Sequence, residues 1–130
     1  MNRVTAAVMR WIVVACYCMM IVTIPGGSVL PSGLQRVFGM DKLIHFAVYA
    51  VLCFLICRAL TATAGRTLGR WMLVLALVLT VGYGIFDEVR QIYVPNRDAN
   101  VFDAVADGIG ALCTVLVWPK VTARWRVLMR

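Results

Sequence analysis

Five of the six acidic residues in this chain fall in residues 83–110, which read YGIFDEVRQIYVPNRDANVFDAVADGIG. They are Asp87, Glu88, Asp98, Asp103 and Asp107, with Arg90, Gln91 and Arg97 among them. The stretch joins two apolar runs, residues 71–86 and 108–118. A charge at the centre of a membrane span costs about 2.5–3.5 kcal/mol on insertion scales, and less near the interface. Any fold available to the chain must therefore compensate these acids where they sit.

That the surroundings are a membrane follows from composition. Of 130 residues, 62% are hydrophobic and 15% charged, with mean hydropathy +0.87, against about half apolar and a quarter charged for a soluble domain. The chain reads as one integral membrane domain over residues 1–130, with no linker, repeat or low-complexity segment. A net charge of +7 raises the question of nucleic acid. The basic residues, however, lie between and beyond the apolar runs, which is the pattern of a topology signal, and no nucleic-acid partner is expected. The five cysteines (Cys16, Cys18, Cys53, Cys57 and Cys113) all lie in apolar segments with no histidine beside them. They read as packing residues rather than as a disulfide framework or zinc site.

Hydropathy divides the chain into four spans. The first covers residues 4–24. Arg10 interrupts it and is expected in the first turns, its stem reaching back to the headgroups. A cleaved signal peptide competes, but no small-x-small site follows and Pro25-Gly26-Gly27 looks like a helix stop, so the span is read as retained. Residues 25–40 form a loop in which Leu30, Leu34, Val37 and Phe38 suggest a short surface helix. The second span is residues 41–60, with Asp41 suited to the positive end of its helix dipole. The third begins at Trp71 and continues through Gln91 toward Pro95. The fourth runs over residues 100–119. The fold class is therefore an all-α polytopic membrane protein, a four-transmembrane-helix bundle.

Orientation follows from the basic residues. The N-terminus, the 58–70 region and the tail hold Arg3, Arg10, Arg58, Arg66, Arg70, Lys120, Arg124, Arg126 and Arg130. The other two loops hold only Arg36, Lys42, Arg90 and Arg97. The excess places both termini in the cytoplasm. Trp11, Trp71 and Trp118 then form a belt at the inner interface, and all six acids lie on the outer side.

At that outer level the spacing brings side chains onto shared faces. Asp41, His45 and Tyr49 follow i, i+4, i+8, as do Tyr83, Asp87 and Gln91, with Glu88 flanking. Asp103, Asp107, Gly110 and Ala111 form a polar-then-small stripe, in which Gly108, Gly110 and Ala111 are expected at a close helix contact. Counting from the helix starts at 1.5 Å per residue, His45 lies ~6 Å deep and Asp107 ~10 Å deep. Six acids against Arg36, Lys42, Arg90 and Arg97 leave a formal excess of two negatives with His45 neutral. That excess allows a cation, a shared proton or a positively charged ligand group.

The same residues resemble the VanZ-like family of small bacterial membrane proteins. Its pattern matches here at Asp41, Lys42, His45 and Phe46, then Asp87, Glu88 and Gln91, then Pro95 and Arg97, then Asp103 and Gly110, covering about residues 41–115. Asp107 stands where the family more often has Asn, and Asn96 where it often has Gly. The resemblance implies a bacterial cytoplasmic-membrane protein. The family is named for a member associated with low-level resistance to the glycopeptide teicoplanin, and the resemblance supplies no mechanism.

Four readings of the site remain open. In the structural one, Arg97 closes on Glu88 or Asp103 and His45 on Asp87, and the cluster only holds helices together. In the binding one, the site takes an envelope component (a lipid-linked precursor, a phospholipid or a lipophilic glycopeptide) through Asp41, Lys42, Tyr49, Gln91, Arg97, Asp103 and Asp107, with Arg97 and Lys42 on an anionic group. In the catalytic one, His45 with Glu88 or Asp87 acts as an acid/base pair in hydrolysis. One histidine among several acids is a weak metal signature, so no metal or other cofactor is expected. In the fourth, the same groups relay protons. Transport would require an oligomer or a partner, because no polar path crosses the inner halves of the first three spans. A homo-oligomer is left open.

Overall fold

The computed structural model describes residues 2–23, 39–64, 69–94 and 100–128, with side chains to residue 123 in the last stretch. Among these residues are four helices, α1 (Arg3–Thr23), α2 (Met40–Ala64), α3 (Trp71–Gln91) and α4 (Val101–Leu128). Each is long and apolar enough to cross a membrane. The all-α, four-helix expectation holds. The surface helix expected over residues 30–38 lies outside the described residues, as do Pro95 and Arg97.

Helix starts follow local chemistry. Asn2 caps α1, its side-chain oxygen accepting the Thr5 N–H at 3.0 Å. Asn100 does the same for α4 through the Phe102 N–H at 3.0 Å. In both, an amide oxygen satisfies a donor that has no partner within the helix. Gly39, at φ +89°, turns the chain into α2 in a left-handed conformation that glycine adopts without strain.

Two helix ends depart from expectation: α2 runs to Ala64 rather than residue 60, and α4 runs past residue 119. Pro119 lies inside α4, which continues to Leu128 rather than stopping at residue 119. Proline lacks the N–H that would bond to the Val115 carbonyl, yet transmembrane helices tolerate such a gap where neighbouring groups compensate it.

The helices alternate in direction. Lys42 faces Asp103, His45 faces Asp107 and the Ala50 carbonyl accepts from Thr114, so α2 and α4 run parallel in matched register. Trp11 meets Thr63 and Tyr17 meets the Val48 carbonyl, which sets α1 antiparallel to α2. Glu88 meets Asn100, which sets α3 antiparallel to α4. The central helix is α2. It contributes Tyr49, Leu52, Cys53, Ile56, Cys57, Ala59 and Leu60 to the core, against Ala76 and Thr80 of α3 and Ala111 and Trp118 of α4. Large apolar side chains such as Val78, Ile85, Val105 and Leu116 cover the outside, a surface suited to lipid.

Association of helices in lipid relies on close packing and hydrogen bonds. Gly110 supplies the first, since a β-carbon there would collide with the Phe46 carbonyl oxygen. Gly108, expected in the same contact, has open space around it, so the contact is narrower than the stripe. Thr114 adds a hydrogen bond to the Ala50 carbonyl at 3.0 Å. Hydrogen bonds anchor α1, in which only Val14 is buried. Tyr83 Oη donates to the Cys18 carbonyl at 2.6 Å, and Tyr17 Oη to the Val48 carbonyl at 3.1 Å. Arg10 donates to the Arg58 carbonyl at 3.1 Å.

Candidate functional site

The antiparallel arrangement brings the starts of α2 and α4 and the end of α3 to one end of the bundle. The positive ends of two helix dipoles meet there, and each first turn carries an acid, Asp41 on α2 and Asp103 on α4. The last turn of α3 carries Arg90 beside the negative end of its own dipole. The acids therefore sit where the backbone favours them, before any side-chain pairing.

Side chains then pair in layers. Outermost, Lys42 Nζ bridges Asp41 Oδ2 at 2.7 Å and Asp103 Oδ1 at 3.1 Å. One turn deeper, His45 Nδ1 lies 3.0 Å from Asp107 Oδ1, and its Nε2 lies 3.9 Å from Asp103 Oδ2. A carboxylate only accepts, so with Asp107 ionised the Nδ1 nitrogen carries the hydrogen and Nε2 faces Asp103. Deeper still, the Tyr49 ring stacks near-parallel to His45, with centroids 6.3 Å apart. From the α3 side, Glu88 Oε2 accepts the Asn100 N–H at 3.0 Å, tying the end of α3 to the cap of α4.

Asp87 departs from expectation. It does not pair with His45. Arg90 donates to its Oδ1 from Nε at 2.9 Å and from Nη2 at 2.7 Å, and Gln91 donates to its Oδ2 at 2.9 Å. The reason is register: parallel α2 and α4 set His45 opposite Asp107, while Asp87 has three N–H donors within one turn of its own helix. Asp87 and Gln91 thus form a closed unit, and Arg97 lies outside the described residues.

Among the described residues, three buried atoms in this region have no hydrogen-bond partner: Tyr49 Oη, Glu88 Oε1 and Asp107 Oδ2. Tyr49 and Asp107 are each 1% exposed and Glu88 8%. Gly84 makes the room, because a β-carbon there would stand 3.0 Å from Asp107 Oδ2 and 3.3 Å from Tyr49 Cε1. A ring nitrogen of His45 and one carboxylate oxygen each from Glu88 and Asp107 lie within 4.8 Å of one another, a spacing that could hold a metal ion.

Residues 5–124 match the family described as VanZ/LLP1. The chain belongs to the VanZ/LLP1 family. No curated protein and no solved structure matches it. In this VanZ/LLP1 protein the motif residues Asp41, Lys42, His45, Glu88 and Asp103 converge on one site, with Asp107 at its deepest point. Sequence reasoning missed three contributors. Arg90 was visible as an Asp-x-x-Arg spacing, Asn100 as a cap residue, and Gly84 only through what it leaves room for.

Proposed function

We propose that this polar end of the bundle faces outward from a bacterial cytoplasmic membrane, with both termini inside, and binds an amphiphilic envelope component. The ligand class is a lipid-linked precursor, a phospholipid or a lipophilic glycopeptide, whose apolar part lies along the lipid-facing helices while its polar head enters the site. The carrying observation is the set of unpartnered atoms, Tyr49 Oη, Glu88 Oε1 and Asp107 Oδ2. A cluster serving only to join helices satisfies its buried groups, because each orphan costs about 1–3 kcal/mol. Lys42, about a third exposed, offers an ammonium at the mouth for a phosphate or carboxylate. Val101 and Phe102, exposed in the first turn of α4 that also carries Asp103, offer apolar surface for a chain.

The test is native mass spectrometry of the purified protein with phosphatidylglycerol, a polyprenyl phosphate and teicoplanin in turn. Retention of at least one of these, weakened in Lys42→Ala and Asp103→Asn, is expected. Retention of none, or equal retention by wild type and both variants, sinks the reading. A second reading, base-assisted hydrolysis, draws support from the His45–Asp107 contact, since a carboxylate on one ring nitrogen orients the other to take a proton. The histidine's partner in that reading is Asp107, in place of Glu88 or Asp87.

A further inference from the structure

Among the described residues, the inner part of the site is short of positive charge. Among the described residues at this end the acids are Asp41, Asp87, Glu88, Asp103 and Asp107, and the fixed cations are Lys42 and Arg90. Arg90 is engaged by Asp87, and Lys42 is shared by Asp41 and Asp103. Among the described residues Glu88 and Asp107 are left with His45, and each has one buried oxygen with no partner among them. Two buried carboxylates on one imidazole in a membrane-embedded bundle are unfavourable unless something neutralises them.

We infer that His45, Glu88 and Asp107 form a binding site for a divalent metal ion with open coordination positions. The three donor atoms lie within 4.8 Å of one another. Ligand atoms around a tetrahedral ion with bonds near 2.1 Å stand about 3.4 Å apart, so modest side-chain rotation closes the set. A dication cancels the two carboxylates while the imidazole stays neutral, which removes the charge imbalance. The unpartnered Tyr49 hydroxyl, fully buried in the same region, is a polar group available to a ligand or water on the ion. One nitrogen and two oxygens select a hard-to-borderline ion such as Zn2+ or Mn2+. A soft ion is not favoured, because the buried thiol of Cys53 lies two turns further along α2 and is directed to the Ala111 carbonyl. Three protein donors leave positions open, the pattern of a metal that takes a water or a substrate oxygen.

The site stands on its own geometry. The further role of the ion, holding a phosphate or carboxylate oxygen of the envelope component, rests on the function proposed above. The experiment separates the two. Full-length protein in detergent is stripped with EDTA, then titrated with Mn2+ followed by electron paramagnetic resonance and with Zn2+ followed by calorimetry. One ion per chain is expected, with a rise in melting temperature. Affinity should fall at least tenfold in each of His45→Ala, Glu88→Gln and Asp107→Asn, and be unchanged in the remote Tyr17→Phe. No stoichiometric ion in folded wild type overturns the site, and so does undiminished affinity in any of the three variants that melts cooperatively. Amphiphile retention is then compared in stripped and metal-loaded protein. Equal retention by stripped and metal-loaded protein leaves the earlier reading intact and removes the ion's role in it, whereas an ion bound with no retention in either form keeps the site and removes the earlier reading.

Discussion

Glu88 and Asp87 are adjacent in sequence and buried alike, yet their surroundings are opposite. Asp87 accepts three hydrogen bonds from Arg90 and Gln91. Among the described residues Glu88 accepts one, from the Asn100 N–H, and Oε1 has no partner. Replacing Glu88 by Gln keeps an acceptor for Asn100 and removes a poorly compensated charge. Its melting temperature in detergent should equal or exceed that of wild type, by up to about 1 kcal/mol of stability. Replacing Asp87 by Asn breaks a buried pair and should cost about 3 kcal/mol in the same assay. A large drop in Glu88→Gln would instead make Glu88 part of the frame. The sequence placed both residues at the right level. It could not say which one the neighbouring helix leaves unpaired, because the i+3 and i+4 donors that engage Asp87 compete with partners across the bundle.

Among the elements, the contact between α2 and α4 depends on one missing β-carbon. Gly110 lies against the Phe46 backbone, whereas Gly108, half a turn earlier, has open space. Gly110→Ala should therefore destabilise the bundle by about 1–3 kcal/mol through overpacking. Gly108→Ala should fall within about 0.5 kcal/mol of wild type, as for substitutions away from tight contacts. Resistance to unfolding in a detergent titration reads both, and equal effects would refute a contact centred on Gly110. A second consequence should be visible only at the site, because Gly110 sets the distance at which His45 faces Asp107 one turn away. The small-residue stripe was legible in sequence as a close contact. Its extent was not, because helical spacing gives a face without saying how far the partner helix follows it. Pro119 illustrates the same limit. As a local signal it reads as a helix end, but α4 runs on past it.

At the scale of the whole molecule, Asp41, Asp87, Glu88, Asp103 and Asp107 lie at the opposite end from Trp11, Trp71 and Trp118. Trp11 Nε1 donates to Thr63 near the end of α2 at 2.9 Å, and Trp118 packs edge-on against Phe54 on the same half. The proposed orientation puts that end inside. In a cysteine-free background, Asp41→Cys should then react with a membrane-impermeant maleimide added to intact cells, and Asn2→Cys only after permeabilisation. The reverse pattern would invert the protein and remove the outward-facing site. What the sequence determined by itself was the class of fold and the shared level of the polar residues. Both depend on local quantities, apolar run length against bilayer thickness and charge position against helix ends. Only the tertiary structure decided which side chains pair, because pairing depends on helix direction and on a register set by Gly110. That register gives His45 to Asp107, leaves Glu88 and Tyr49 with buried atoms unpaired among the described residues, and brings together from three helices His45, Glu88 and Asp107, whose donor atoms lie within 4.8 Å of one another.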